Sequence, residues 1–102
     1  PKGAMLTHRN LYAMTLSFLA DIGPVEETDA SLYPAPLSHG AGLLSLAHIV
    51  RGAANVVPES GGFSPDEIVE LINHYPGSSF FAAPTMVNRL VTSPAIRDMK
   101  VE

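Results

Sequence analysis

The chain has 102 residues and a formal net charge of -4, six Lys and Arg against ten Asp and Glu, and it is 46% hydrophobic and 16% charged. That size excludes two full domains and leaves one globular unit able to bury about two-thirds of its unfolded surface. No cysteine occurs, which excludes disulfides and thiolate metal sites and fits a reducing, cytoplasmic compartment. Between Gly3 and Met99 the only strong bases are four scattered arginines, so neither a nucleic-acid groove nor an anionic-membrane surface is expected.

The apolar stretch from Leu11 to Ala20 follows Lys2, His8 and Arg9, as in a secretory signal. Thr15 and Ser17 interrupt it, and Phe18 occupies the place where a small residue should precede the cleavage-site Ala20. It also falls short of the ~18 apolar residues of a membrane span. The spacing predicts instead an amphipathic helix from a Thr7 cap to about Asp21, with Tyr12, Leu16 and Leu19 on one face, widened by Leu11 and Phe18. Gly23-Pro24 then opens a connector carrying Asp21, Glu26, Glu27 and Asp29, read as a solvated acidic loop.

A first strand is expected at Ser31 to Pro36, with Pro34 marking an edge or an irregular end. Leu43, Leu46, Ala47 and Val50 predict a helix over Leu43 to Arg51 that Gly52 stops. A second strand follows at Ala54 to Pro58. Phe63-Ser64-Pro65-Asp66-Glu67-Ile68 is a strong helix start: Ser64 can cap, Pro65 suits the first helical position, Glu67 can reach back to the cap, and Phe63 and Ile68 make a hydrophobic staple. Ile68, Leu71, Ile72 and Tyr75 share a face of that helix, and Pro76-Gly77 ends it. A third strand at Ser79 to Ala83, a helix capped by Thr85 and running through Val91, and a further helix begun by Ser93-Pro94 complete the order. The alternation predicts an α/β fold: a three-layer, mostly parallel β-sheet with flanking helices. Three strands leave two edges with unpaired backbone groups, and the chain opens at Pro1-Lys2-Gly3 without an initiator Met. It is therefore read as a piece of a larger sheet, expected to self-associate through exposed apolar surface.

Two segments could carry chemistry. Lys2 and Gly3 stand just before a helix N-terminus, where an ammonium, backbone N–H groups and the helix dipole can converge on phosphate. Ala4 stands where a Walker-type loop would place Ser or Thr. Pro36-Leu37-Ser38-His39-Gly40-Ala41-Gly42 lies where a strand hands over to a helix, the usual ligand-binding end of an open α/β sheet. There Gly40 and Gly42 permit close approach of backbone to a ligand, and His39 offers an imidazole. On the residues alone this is equally a Gly-rich helix entry with a satisfied histidine. Ser38 and His39, as neighbours on extended backbone, point to opposite faces and are no catalytic pair. His8, His48 and His74 lack metal-ligand spacing, so no metal site is expected.

In order and at suitable intervals, three segments resemble the AMP-forming acyl-CoA synthetases of the adenylate-forming ligase superfamily. Pro1-Lys2-Gly3-Ala4-Met5-Leu6-Thr7-His8-Arg9-Asn10-Leu11 resembles the second half of the family's phosphate loop and the helix after it, without the Ser/Thr/Gly-rich stretch that precedes it there. Pro36 to Gly42 is similar to its acyl-pocket motif, and Phe80-Phe81-Ala82-Ala83-Pro84-Thr85-Met86 to its strand ending in Pro-Thr. The resemblance implies that residues 1–102 are an internal part of the N-terminal adenylation domain of a carboxylic acid CoA ligase, with a fatty acid favoured by small pocket residues. It implies Lys2 and Gly3 at the phosphates of ATP, His39 beside the carboxylate and gating the thiol channel, and Gly40 and Ala41 lining the acyl pocket. ATP, Mg²⁺ and coenzyme A would serve the parent enzyme, which forms an acyl adenylate and then a thioester. No catalytic residue is assigned within the chain, and the chain alone is expected to be inactive. A stand-alone α/β interaction module and an adenylation domain loading a carrier protein are the alternatives.

Overall fold

The computed structural model describes residues 2–100, so Pro1 of the first motif lies outside the described residues. Eight elements follow one another: α1 (His8–Asp21), β1 (Ala30–Leu32), α2 (Gly40–Val50), β2 (Ala54–Val56), α3 (Pro65–His74), β3 (Ser78–Phe80), α4 (Pro84–Thr92) and a 3-10 turn at Pro94–Asp98. The strands form one parallel sheet in the order β2-β1-β3, with Ser31 opposite Asn55 on one side and Ser79 on the other. The predicted parallel α/β architecture is thus present. Each strand is shorter than the sequence suggests, and β1 is central; Pro34 sits beyond its end, where a missing N–H interrupts no ladder.

Alternation along the strands assigns the two faces. His48 of α2 hydrogen-bonds Ser79, so Ser31 and Ser79 face α2. Leu32 and Phe80 point the other way, where Phe80 packs against the buried cluster of Ile68, Val69, Leu90 and Ala95 from α3, α4 and the 3-10 turn. The connection from β1 to β2 runs one way across the sheet and that from β2 to β3 runs back over β1. If both crossovers share the right-handed sense, their helices must cover opposite faces, as α2 and α3 do. Leu32 and Ile68 are both fully buried. We expect Ile68→Ala to destabilise the chain by about 2–5 kcal/mol, through lost transfer energy plus a cavity. Urea unfolding checks this, and a loss below about 1 kcal/mol would contradict the packing.

Local chemistry explains most boundaries. Thr7 caps α1 through a reciprocal box: Asn10 N–H donates to Thr7 Oγ1 at 3.2 Å and Thr7 N–H donates to Asn10 Oδ1 at 3.0 Å. At α3 the expected box does not form. Ser64 takes no side-chain capping bond, and Glu67 instead accepts from the hydroxyl and the N–H of Ser60, which hold its carboxyl below the usual range. Thr85 is inside α4 rather than capping it; Ala83 is the cap and Pro84 takes the first helical position. Ser93 Oγ accepts from Ala95 N–H and starts the last turn, which ends at Asp98. Gly77 precedes β3 at φ +69°, and an added Cβ would overlap Asp29 Oδ1, so only glycine serves there.

Two helix faces differ from expectation. On α1 the buried position is Thr15, flanked by half-buried Leu11, Met14 and Phe18, while Tyr12 and Leu16 are exposed. The Thr15 hydroxyl donates to Leu11 O at 2.8 Å, which lets a polar residue occupy the packed face. On α2 the buried positions are Ala41, Ala47 and His48; of the predicted stripe Ala47 is buried and Leu46 half-buried, while Leu43 and Val50 are exposed. That helix is apolar nearly all round, so side-chain size decides: the alanines let it approach the sheet while Leu43, Ile49 and Val50 stay outside.

Candidate functional site

In an open α/β sheet the ligand crevice opens at the carboxyl ends of two neighbouring strands whose following helices leave to opposite faces. Here β1 meets that condition with β2 and with β3, since α2 covers one face and α3 and α4 pack together on the other, and it is on the β3 side that residues of both strands line a cavity. A cavity of about 350 Å³ lies at this point, its wall including Tyr33 and Phe81 just beyond the strands and Ala41, Leu44 and His48 along α2. Phe18 of α1 closes part of the outer side. This volume is at the lower end of small-molecule sites, and the lining is mainly apolar and aromatic, as such sites are.

The His39–Gly42 motif starts α2, and one of its residues, Ala41, lines the cavity. His39 caps α2 in extended conformation (φ -107°, ψ -166°) without a side-chain capping bond, and it and Gly40 are exposed while Ala41 is buried in the cavity wall. Of the two glycines, Gly42 is the constrained one. A Cβ on Gly42 would overlap the carbonyl oxygen of Leu37 and stand 2.9 Å from its carbon, whereas Gly40 has open space around it. The close approach read into Gly42 is therefore to the chain's own turn.

Lys2 and Gly3 are exposed and precede α1 outside any helix or strand, and an added Cβ on Gly3 would meet nothing. The first turns of α1 border the last turn of α2, where Arg9, Leu11 and Tyr12 line a groove with Ile49 and Val50. His39 stands at the opposite end of α2, about 16 Å away along an 11-residue helix. Neither the groove nor the 350 Å³ cavity is lined by Lys2 or His39, so the described residues do not bring the two motifs onto one cavity. As a donor set, an exposed ammonium beside backbone N–H groups suits a phosphate anion. Among the described residues no group of three or more His, Cys, Asp or Glu converges. The acidic connector is structural, with Glu26 3.6 Å from Arg51 and Asp29 Oδ2 accepting from Glu26 N–H at 2.8 Å.

Sequence reading missed the polar centre of the cavity. His48 is 4% exposed; its Nε2 lies 3.3 Å from Ser79 Oγ, and its Nδ1 has no partner. The ring meets Phe18 edge-on with centroids 6.3 Å apart. Across the cavity mouth the Tyr33 hydroxyl donates to Asn55 Oδ1, tying the end of β1 to β2. The available signal was spacing: Ala41, Leu44 and His48 fall at i, i+3 and i+7, one helical face chosen by small residues rather than by leucines.

Burial pushes the His48 imidazole below its ordinary pKa of 6.5, opposed in part by the charge of Asp29. The unfolded chain therefore takes up this proton first as pH falls through 6.5, so in that window stability declines with acidification. We expect the melting temperature to drop between pH 7 and pH 5, and the drop to shrink in His48→Gln. An identical pH profile in that variant would contradict the assignment.

The chain is thus a parallel α/β sheet with a cavity beside β1 and β3 whose wall includes Ala41 of the His39–Gly42 helix start. The chain belongs to the AMP-binding enzyme family, whose model matches residues 1–102. It is similar to the acyl-CoA ligase cnsG of Penicillium expansum, 33% identical over 88 residues covering 84% of this chain and 18% of that protein. It is also similar to a feruloyl-CoA synthase of an Amycolatopsis species, 28% identical over 99 residues (95% of this chain, 20% of that protein). The acyl-CoA ligase sidI of Aspergillus fumigatus is 30% identical over 95 residues, 92% of this chain and 16% of that protein. The chain thus spans about a fifth of the length of these relatives.

Proposed function

We propose that the chain is an internal part of the N-terminal domain of an ATP-dependent carboxylic acid CoA ligase. The observation that carries this reading is the family match over residues 1–102, supported by a cavity beside β1 and β3 whose wall includes Ala41. In the full-length enzyme the acid's carboxylate attacks ATP, giving acyl adenylate and pyrophosphate, and a thiol then displaces AMP to give a thioester. Lys2 neutralises phosphate charge on the nucleotide, and Gly3 keeps the loop backbone close to it. His39 borders the carboxylate, while Gly40 and Ala41 leave room for the acyl body. The apolar wall excludes water, so that charge–dipole contacts act at greater strength than in solution.

Coenzyme A is the acceptor favoured over a carrier protein, because the relatives' names specify acyl-CoA and feruloyl-CoA products. A fatty acid remains part of the proposal on the small residues Gly40 and Ala41, and a cytoplasmic location belongs to the same reading. The 102 residues by themselves neither adenylate nor form thioesters in this reading, because the resemblance puts the magnesium-associated Glu, the ribose-binding Asp and the catalytic lysine beyond this segment. The exposed apolar groove between α1 and α2, with Tyr12, Ile49 and Val50, is surface through which the isolated chain self-associates. Assaying the full-length protein with ATP, graded carboxylic acids and either coenzyme A or a carrier protein tests the reading. Thioester formation on coenzyme A is expected; transfer to the carrier alone would replace it with the carrier-loading alternative.

A further inference from the structure

Of the two crevices that β1 makes with its neighbours, the one toward β3 holds the 350 Å³ cavity, and among the described residues none from β2 lines it. One pair of side chains accounts for this. Asn55 and Ser79 stand opposite Ser31 on its two sides, and Ser79 meets His48 of α2, so Asn55 shares the α2 face of the sheet. Tyr33 follows Ser31 by two residues and keeps the ladder, its N–H donating to Val56 O at 2.9 Å, so its ring returns to that face. The ring is 6% exposed and lines the cavity, while its hydroxyl reaches toward β2 and donates to Asn55 Oδ1. Asn55 Nδ2 donates in turn to Ala53 O at 3.3 Å, so both ends of the amide are engaged. The phenol thus spans from the cavity to β2 as a partition.

We propose that Tyr33 is a specificity-determining residue that limits the width of the substrate acid's body on the β2 side, and that Asn55 is its positioning residue. This rests on the ligase reading above, with the cavity as the place of the acid. A phenol free to turn would yield to a broad ligand through a change of rotamer alone. One whose buried hydroxyl is tied yields only by leaving that hydroxyl and the Asn55 amide oxygen unpaired. The tether therefore makes a rigid wall of an aromatic ring. Acids slender at the end away from the carboxylate, a straight chain or a single ring, are favoured over a branched chain or a fused ring.

The test measures kcat/KM of the full-length enzyme for acids paired by length: a straight chain against a branched one, and a phenyl against a naphthyl body. The wild type should prefer the slender member by about tenfold or more in at least one pair, the scale on which an apolar pocket rejects small excess bulk. Tyr33→Leu, which removes the partition, should bring that ratio near one. Tyr33→Phe and Asn55→Ala keep the ring and remove only its tether. Each should lower the ratio by about threefold or more, the scale of one net hydrogen bond. The change should fall mainly on KM for the broad acid, and the double variant should go no further than either alone. Thermal melts establish folding, and because Asn55 is exposed, the tether variants carry the test even where Tyr33→Leu does not fold. A merely structural pair would lower activity on both members alike. A wild type without preference for the slender member in either pair overturns the proposal and leaves the ligase reading standing. So does a ratio unchanged in either folded tether variant, or effects that add in the double variant. An enzyme that activates no acid of either pair overturns both.

Discussion

Gly42→Ala is expected to cost about 3 kcal/mol, at the upper end of overpacking penalties, because its new methyl would collide with backbone rather than with a side chain that could rotate away. The Leu37 carbonyl oxygen it meets belongs to the turn in which His39 N–H donates to Pro36 O at 3.1 Å and Gly42 N–H donates to His39 O at 3.0 Å. Relief requires that turn to move, carrying His39 and Gly40 with it and tilting Ala41 in the cavity wall. Stability and acid recognition should therefore fall together, read by urea unfolding and by KM for the acid. Gly40→Ala is the control: its Cβ meets open space, so stability should change little. Equal stability of the two variants would show that the turn is not fixed as described.

Lys2→Ala in the full-length enzyme is expected to lower acid-dependent ATP–pyrophosphate exchange about 100-fold, the scale of removing one preorganised group from a developing negative charge. The loss should appear mainly in kcat and in the apparent affinity for ATP, with KM for the acid little affected, because Lys2 does not line the 350 Å³ cavity proposed for the acid. Lys100 provides the comparison. Among the described residues its backbone N–H donates to Asn73 Oδ1 at 2.7 Å and its side chain makes no hydrogen bond, and Lys100→Ala should leave exchange unchanged. A loss below about twofold in Lys2→Ala would remove the phosphate role.

Much of the fold was legible because it rests on local rules. Thr7 as cap, Pro65 at a first helical turn, Gly52 and Gly77 as stops, and apolar runs between helices all act within a few residues and led to the observed order of elements. Faces were less legible. Tyr12 and Leu16 look like core on a helical wheel, yet α1 buries Thr15, because a threonine can return its hydroxyl to Leu11 O and vanish into a packed face. On α2, abundant leucine hid the fact that sheet packing selects the smallest residues, and with them His48. Glu67 answered Ser60 rather than Ser64 because a loop seven residues upstream folds over it, a tertiary event no capping pattern contains.

The site divides in the same way. The turn Leu37–Gly42 was readable because Gly42 permits a close backbone approach, here to the Leu37 carbonyl, that a Cβ would block. The cavity's aromatic wall was not, since Phe18 comes from α1 and Phe81 from the end of β3, and their meeting depends on how α1 and the sheet pack.

The most direct measurement incubates the full-length protein with ATP, Mg²⁺ and a carboxylic acid in the absence of coenzyme A, then identifies the nucleotide products by mass spectrometry. Acyl adenylate and pyrophosphate in equal amounts are predicted, appearing only when an acid is supplied. Release of ADP and phosphate, or an unaltered nucleotide with every acid offered, would contradict the account.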